Sequence, residues 1–502
     1  MERDGAHRGF PVTSRRTALG LALGAVGAVS TAGCGPEPVR GYTVEKWRSE
    51  RGQNFMIAHR GGGDVVPEHT LEAYQSALGW GAKALEISVV GTSDGVLICQ
   101  HDLDYNRTTN LRGPVVTQTS SVLVDARVTV PRLGPRWNGD NAPPVARLEE
   151  VLRKIGDRAV LIIEAKDDSV FPGVQRAIAD RGLEKSVIVK LHQDTQRIGE
   201  AHKLGFPVFC YFGTVREMTP DRITAVAAQL DPARDCLVVP AYSDDGLIPD
   251  ELLALATATK VPVWVHPVHR RWEVAHFFAR GVQALVASSY GYLASTVKPL
   301  TTADWESGAL HPGEMTKQPD STNYGLEWPE PGVIRLAVQE RQAFLTLGHL
   351  SPLATPQGPY VIDLELRVDT APKDPFSNLS LAFGHADDLY YEHRQGARGG
   401  YHAMIRMTGE IDLRRHDVGS DEGEPLGKPV PGPKLVKGTW VPLRVEVTPT
   451  RLTFTRMDTG ASISGEDSTH RGAYLHVGRS ALDGAISLRR LQIRQTPDST
   501  RT

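Results

Sequence analysis

Between Phe55 and Ala287, short apolar runs alternate with stretches whose apolar residues recur at helical spacing. The runs lie at 55–58, 84–90, 159–164, 186–191, 207–211, 236–240, 261–266 and 284–287, and their alternation with helices predicts βα units around a parallel sheet. Eight such strands predict a (β/α)8 TIM barrel. Pro67-Glu68-His69-Thr70 starts one helix, in which Leu71, Tyr74, Ala77 and Leu78 fall at helical spacing. Thr92-Ser93-Asp94-Gly95 reads as a hairpin turn, so the run at 95–101 extends the second strand and is not counted among the eight. From 110 to 144 turn formers and charges predominate, which suits a loop over the barrel mouth. Leu148-Glu149-Glu150-Val151-Leu152 then begins the helix before the third strand.

After Tyr290 the pattern changes. Residues 298–331 are turn-rich, and from Val333 onward short alternating runs follow one another without a convincing amphipathic helix. Those at 360–368, 379–383, 401–406, 440–447, 451–454, 474–478 and 486–488 predict an all-β sandwich or jelly roll.

Composition narrows the function more than the fold. Charged residues make up 23% of the 502, and a formal net charge of -3 leaves no footprint for nucleic acid. Ser14-Arg15-Arg16-Thr17 ahead of the apolar run 18–29 reads as a twin-arginine export signal, too short to span a bilayer. The run closes on Ser30-Thr31-Ala32-Gly33-Cys34, which resembles a bacterial lipoprotein box with Cys34 as the lipidated residue; plain secretion is the alternative, because Thr31 stands where a larger aliphatic residue is usual. In either case the expected location is outside the cytoplasmic membrane. Cys99, Cys210 and Cys236 sit in apolar runs without zinc spacing and read as buried thiols, with a Cys210–Cys236 disulfide as the other option.

The candidate chemistry sits at strand ends, where α/β barrels place it. The first strand delivers His59-Arg60 into Gly61-Gly62-Gly63, the second carries Glu86, and the hairpin strand ends in His101-Asp102. Two histidines with carboxylates in one such unit suggest acid/base catalysis on a phosphate ester, with or without a divalent metal. On the third strand Glu164 and Lys166 share one face by the two-residue period.

Taken together, His59-Arg60-Gly61, Pro67-Glu68, Glu86, Thr92-x-Asp94-Gly95, His101-Asp102 and Arg107-Thr108-Thr109 resemble the glycerophosphodiester phosphodiesterases, matching six motif blocks in order. The resemblance implies His59 and His101 as the catalytic acid/base pair and Arg60 as a phosphoryl-charge partner. It implies Glu86 and Glu164, with Glu68 as a further candidate, as ligands of Ca²⁺ or Mg²⁺. It places Lys166 toward the phosphate and Trp264 as an apolar substrate wall, although Trp264 serves equally as core packing. The implied products are a glycerol phosphate and an alcohol.

Four departures bear on activity. The family's E-x-D is Glu86-Ile87-Ser88, its P-E-N asparagine is His69, its W-T-x-N asparagine is His266, and its closing T-D is Ala287-Ser288. Losing one carboxylate weakens a site for a hard cation. Two readings follow: a retuned enzyme, with His69 or His266 assisting or Zn²⁺ in place of Ca²⁺ or Mg²⁺, or a degenerate barrel that binds a phosphodiester without cleaving it.

The C-terminal runs resemble, at lower specificity, laminin-G or concanavalin-like jelly rolls, which implies glycan binding, with Tyr390, Tyr391, His393 and Tyr401 as an aromatic surface or as core. The expected organisation is a signal at 1–34, a linker at 35–54, the barrel at 55–297, a linker at 298–331, the sandwich at 332–496 and a tail at 497–502. Expected partners are a small phosphodiester or an envelope glycerol-phosphate polymer, a glycan at the sandwich, and a membrane through the lipid anchor only.

Overall fold

The computed structural model describes residues 41–244, 246–294, 305–311, 326–336, 345–347, 359–388, 399–420, 422–479 and 483–495, which fall within one compact unit, 40–502. The export signal, Cys34, Tyr390, Tyr391 and His393 lie outside the described residues. Among those described, no helix is long and apolar enough to cross a membrane.

Eight parallel strands close on themselves. These are β1 (Phe55–Ala58), β2 (Ala84–Gly91), β4 (Val160–Ala165), β5 (Val187–His192), β6 (Val208–Tyr211), β7 (Cys236–Pro240), β10 (Val263–Val268) and β11 (Ala284–Ala287), and β1 pairs with both β11 and β2. The strand β3 (Leu97–Cys99) lies antiparallel on β2, as the hairpin signal predicts, and β8 (Tyr242–Ser243) with β9 (Gly246–Leu247) forms a small hairpin after β7. Helices α2 (Leu71–Gly79), α3 (Leu148–Ile155), α4 (Phe171–Ala179), α5 (Ile198–Lys203), α6 (Pro220–Ala227), α7 (Asp250–Ala258), α8 (Arg271–Phe278) and α9 (Tyr290–Leu293) alternate with the strands. Outward residues such as Leu85, Ile87, Leu161 and Val189 share a core with the helices. The opposite set, with Ile57, Ala84, Ile162, Ile188, Phe209, Val238, Trp264 and Val286, fills the barrel interior.

Three expectations change here. A helix, α1 (Val44–Glu50), occupies part of the segment read as a linker; Thr43 caps it by accepting the Lys46 N–H (3.1 Å), and Val44 and Trp47 are buried in the interior cluster. Trp264 lies in that cluster, edge-on to Trp47, Phe55 and Phe209 at ring separations of 6.2, 5.4 and 5.5 Å, so it packs the barrel floor and does not wall the mouth. Cys99, Cys210 and Cys236 are free and buried, so the disulfide option falls.

The C-terminal part is a sandwich of two sheets. One has the order β12 (Leu326–Glu330), β13 (Val333–Leu336), β24 (Ala485–Gln495), β15 (Tyr360–Thr370), β20 (Trp440–Val447), β21 (Arg451–Arg456), β22 (Ala461–Glu466). The other has β14 (Leu345–Leu347), β23 (Tyr474–Arg479), β16 (Asn378–His385), β17 (Gly400–Arg406), β18 (Ile411–His416), β19 (Glu424–Pro425). Along β15 buried and half-buried positions alternate, the pattern of a strand with one face on a core. Tyr401 is wholly buried and donates to Asp467 Oδ1 (2.5 Å), so it belongs to the core and not to an aromatic surface. The sandwich is fastened to the barrel by Asp388, which accepts the Arg271 and Trp272 N–H groups at the start of α8 (2.6 and 2.9 Å) and the Tyr292 hydroxyl (2.8 Å).

Candidate active site

The turn after β1 sets the first catalytic candidate. Arg60 has a left-handed backbone (φ 53°), an uncommon state for a residue with a Cβ, and its N–H donates to Glu86 Oε2 (3.0 Å). Gly61 follows because α2 presses on the turn: a Cβ there would stand 2.7 Å from the Ala73 Cβ. The turn leaves His59 buried, with Nδ1 2.7 Å from Ser288 Oγ. Burial first, then Arg60 and Lys190, hold the His59 pKa well below the ordinary imidazole value.

His101 stands beyond β3, with Nδ1 2.7 Å from Asp102 Oδ1. Burial lowers its pKa and Asp102 opposes that shift, so it stays closer to the ordinary value than His59 does. Arg107 ties this pair to the β1 turn, donating to Asp102 Oδ2 (2.5 Å) and Glu68 Oε1 (2.7 Å), while Arg60 donates to the same Glu68 oxygen (3.1 Å). Burial works against charge on Glu68, but Arg60 and Arg107 outweigh it and hold its pKa well below the carboxylate range. Glu68 is thus engaged by two arginines.

Glu86 and Glu164 do come together, and a residue that the sequence reading passed over lies between them. The parallel register sets Ser88 beside Glu164 and Glu164 beside Lys190 on three adjacent strands. The Lys190 ammonium lies 2.7 Å from Glu86 Oε1 and 2.8 Å from Glu164 Oε2. Ser88 Oγ is 3.3 and 3.1 Å from the same two oxygens, and its one proton serves one of them at a time. Glu164 Oε1 accepts from the Tyr211 hydroxyl (2.6 Å) and Lys166 Nζ (3.1 Å). Burial disfavours the charges, but the ion pairs outweigh it: both carboxyl pKa values are held low and that of Lys190 is held above the ordinary amine value.

Every carboxylate oxygen of Glu86 and Glu164 therefore has a donor from the chain, and a cation already sits between them. Among the described residues no group of three or more His, Cys, Asp or Glu side chains is arranged to hold a metal ion. These residues do not fit a divalent cation as they are arranged.

The other departures occupy different positions around the site. His69, with φ 58°, places Nδ1 2.8 Å from the Tyr74 hydroxyl, and burial drives its pKa down to about 3. On β10, two residues past Trp264, His266 lies with Nε2 3.0 Å from the Phe212 carbonyl, and burial lowers its pKa to about 4. Two cavities flank the cluster. One, of about 170 Å³, is lined by His59, Arg60, Glu68 and Ser288 together with Asp64 and His269, whose Nδ1 lies 2.7 Å from Asp64 Oδ2. The other, of about 470 Å³, is lined by Glu164, Lys166, Lys190, His192 and Tyr211. Asp64 and His269 sit in loops with no motif to flag them. Lys190 left a signal, being a lysine of inward parity after three apolar residues of its strand.

Comparison with known proteins bears on the family. The family model described as Glycerophosphoryl diester phosphodiesterase family matches residues 59–199. A glycerophosphodiester phosphodiesterase of Caldanaerobacter subterraneus subsp. tengcongensis is 32% identical over 171 residues, which are 32% of this chain and 68% of that protein. One from Bacillus subtilis (strain 168) is 33% identical over 145 residues, 28% of this chain and 48% of that protein. The crystal structure of a glycerophosphodiester phosphodiesterase from Agrobacterium tumefaciens superposes with a TM-score of 0.39 at 20% identity, covering 48% of this chain and 99% of that one. With a relative of this identity covered over two thirds of its length, the chain belongs to the glycerophosphodiester phosphodiesterase family, whose members are phosphoric diester hydrolases.

Proposed function

We propose that the barrel cleaves glycerophosphodiesters to a glycerol phosphate and an alcohol, with His59 as general base and His101 as general acid. The observation that carries this assignment is the split between the two imidazoles. Both feel the same cations, Arg60 and Lys190, but only His101 has a carboxylate at Nδ1 to support its protonated form. Environments that push two pKa values apart assign base to the lower and acid to the higher. With its proton on Nδ1, toward Ser288, the His59 ring offers Nε2 to a water that attacks phosphorus directly, or to the glycerol 2-hydroxyl, whose attack expels the alcohol and leaves a cyclic phosphate that a water then opens to glycerol phosphate. His101 then protonates the leaving alcohol oxygen, its Nδ1 proton held by Asp102. Arg60 and Lys166 supply positive charge for the phosphoryl oxygens.

The export signal and Cys34 support a working location outside the cytoplasmic membrane, with substrates drawn from lipid turnover or from glycerol-phosphate polymers. Cell fractionation with Cys34→Ser tests the anchor: release of the variant from the membrane fraction is expected, and unchanged partition refutes it.

The test of the chemistry is hydrolysis of glycerophosphocholine and bis(p-nitrophenyl) phosphate. His59→Ala and His101→Ala should each lower kcat by about 10²–10⁴-fold with the fold intact. Tight binding of a glycerophosphodiester without turnover would favour the rival reading, a barrel that retains only its phosphoester pocket.

A further inference from the structure

We propose that Lys190 takes the place of the divalent cation in this barrel: its ammonium bridges Glu86 and Glu164 and faces the substrate phosphate, so the enzyme works without metal. The inference rests on the phosphodiesterase reading and goes beyond it.

Charge and geometry both lead there. Ser88 stands where the E-x-D pattern has a second carboxylate, and Lys190 adds an ammonium between the two carboxylates that remain. Removing one negative charge and adding one positive charge changes the site by two units, the charge a divalent ion would bring. The mouth is then balanced within the chain: the carboxylates Glu68, Glu86, Asp102 and Glu164 face the cations Arg60, Arg107, Lys166 and Lys190 through direct ion pairs. A divalent ion would have to displace the ammonium from both carboxylates at once, leaving a lysine buried without its partners.

The ammonium is also placed to act. It has three donors, of which Glu86 and Glu164 take two. Its Nζ lies 4.7 Å from the Tyr211 ring centroid, and the side chain lines the 470 Å³ cavity together with Lys166. A phosphoryl group bound where the two cavities flank the cluster would meet these two ammonium groups, one at each oxygen of Glu164, with His59 and Arg60 on the side of the smaller cavity. A fixed cation of this kind needs no reorganisation as charge develops on the phosphoryl oxygens.

The full chain, purified and treated with EDTA, is the sample to use. Expected results are turnover of glycerophosphocholine that EDTA leaves unchanged and a Tm that Ca²⁺, Mg²⁺, Mn²⁺ and Zn²⁺ leave unmoved. Lys190→Met should lose about 10²–10³-fold in kcat. The double variant Ser88→Asp with Lys190→Ser should gain what the natural chain lacks: a Tm raised by Ca²⁺, and Tb³⁺ luminescence sensitised through Tyr211. Turnover that falls with chelation and returns with a metal would overturn the proposal, as would divalent-ion binding by the unaltered chain that Glu86→Gln removes. If no sample turns over any substrate, the phosphodiesterase reading fails separately, and the binding arms still decide whether Lys190 excludes the ion. Should the double variant not fold, the titration of the unaltered chain decides alone.

Discussion

At its lower end the barrel is filled by Trp47, Phe55, Phe209 and Trp264, sealed by α1; one inward step along the same strands the interior holds Glu86, Glu164, Lys190, Tyr211 and His266. Ala84 precedes Glu86, Ile162 precedes Glu164, Ile188 precedes Lys190, Phe209 precedes Tyr211 and Trp264 precedes His266, each by two residues. The apolar floor excludes water from below, which strengthens every charge pair above it and makes an unpaired charge there costly. Apart from the Trp264 indole N–H, which is buried without a hydrogen-bond partner among the described residues, the floor rings fill space with no polar partner required, whereas the mouth is stable only as a matched set. The two ends should therefore fail in different ways.

Substitutions at each end give the largest contrast. Trp264→Ala should cost about 3–5 kcal/mol in unfolding free energy, measured by chemical denaturation, while KM for glycerophosphocholine stays unchanged. Glu164→Gln should cost a similar amount, about 3–5 kcal/mol, because it leaves Lys190 and Lys166 short of a carboxylate, and turnover should fall with it. A change in KM from Trp264→Ala would break the distinction between floor and mouth.

Acid should separate the ends more gently. His69 and His266 are buried with pKa values near 3 and 4, below the ordinary 6.5 that an unfolded chain shows. Their contribution to stability is complete above pH 6.5 and is lost as pH falls from there toward 4 for His266 and toward 3 for His69, because the unfolded state takes up protons that the folded one refuses. Each contributes a slope of up to about 1.4 kcal/mol per pH unit. His266→Gln should flatten the pH dependence of the denaturation midpoint, and an unchanged slope would remove His266 from the charged end.

The smallest expected effect concerns catalysis alone. The descending limb of kcat/KM should follow His101, below pH 6.5, and Asp102→Asn should move it to still lower pH because the carboxylate raises that pKa. A limb that moves upward, or stays, would unseat His101 as the acid.

Much of this was legible in the chain. Strand positions followed from short apolar runs, and β1, β7 and β11 begin and end where those runs do. The order of His59, Glu86, His101 and Glu164 identified the mouth, and the altered residues Ser88, His69 and His266 were found there. The floor was harder to read: Trp264 shares the inward parity of His266, and parity cannot say at which height in the barrel a side chain lies. The helix α1 was hidden in a short polar segment whose two apolar anchors, Val44 and Trp47, are too few to show a period. Asp64 and His269 are 205 residues apart and meet only because loops from β1 and β10 converge.

By itself, then, the sequence determined the period-two alternation, the eight strands, the motif order and hence the family. Which cation neutralises Glu86 was settled by the tertiary structure. Lys190 lies 104 residues away on a strand with no motif. Alternation states that such a side chain points inward; only the closing of the sheet, with β2, β4 and β5 in fixed parallel register, brings its ammonium between two particular carboxylates.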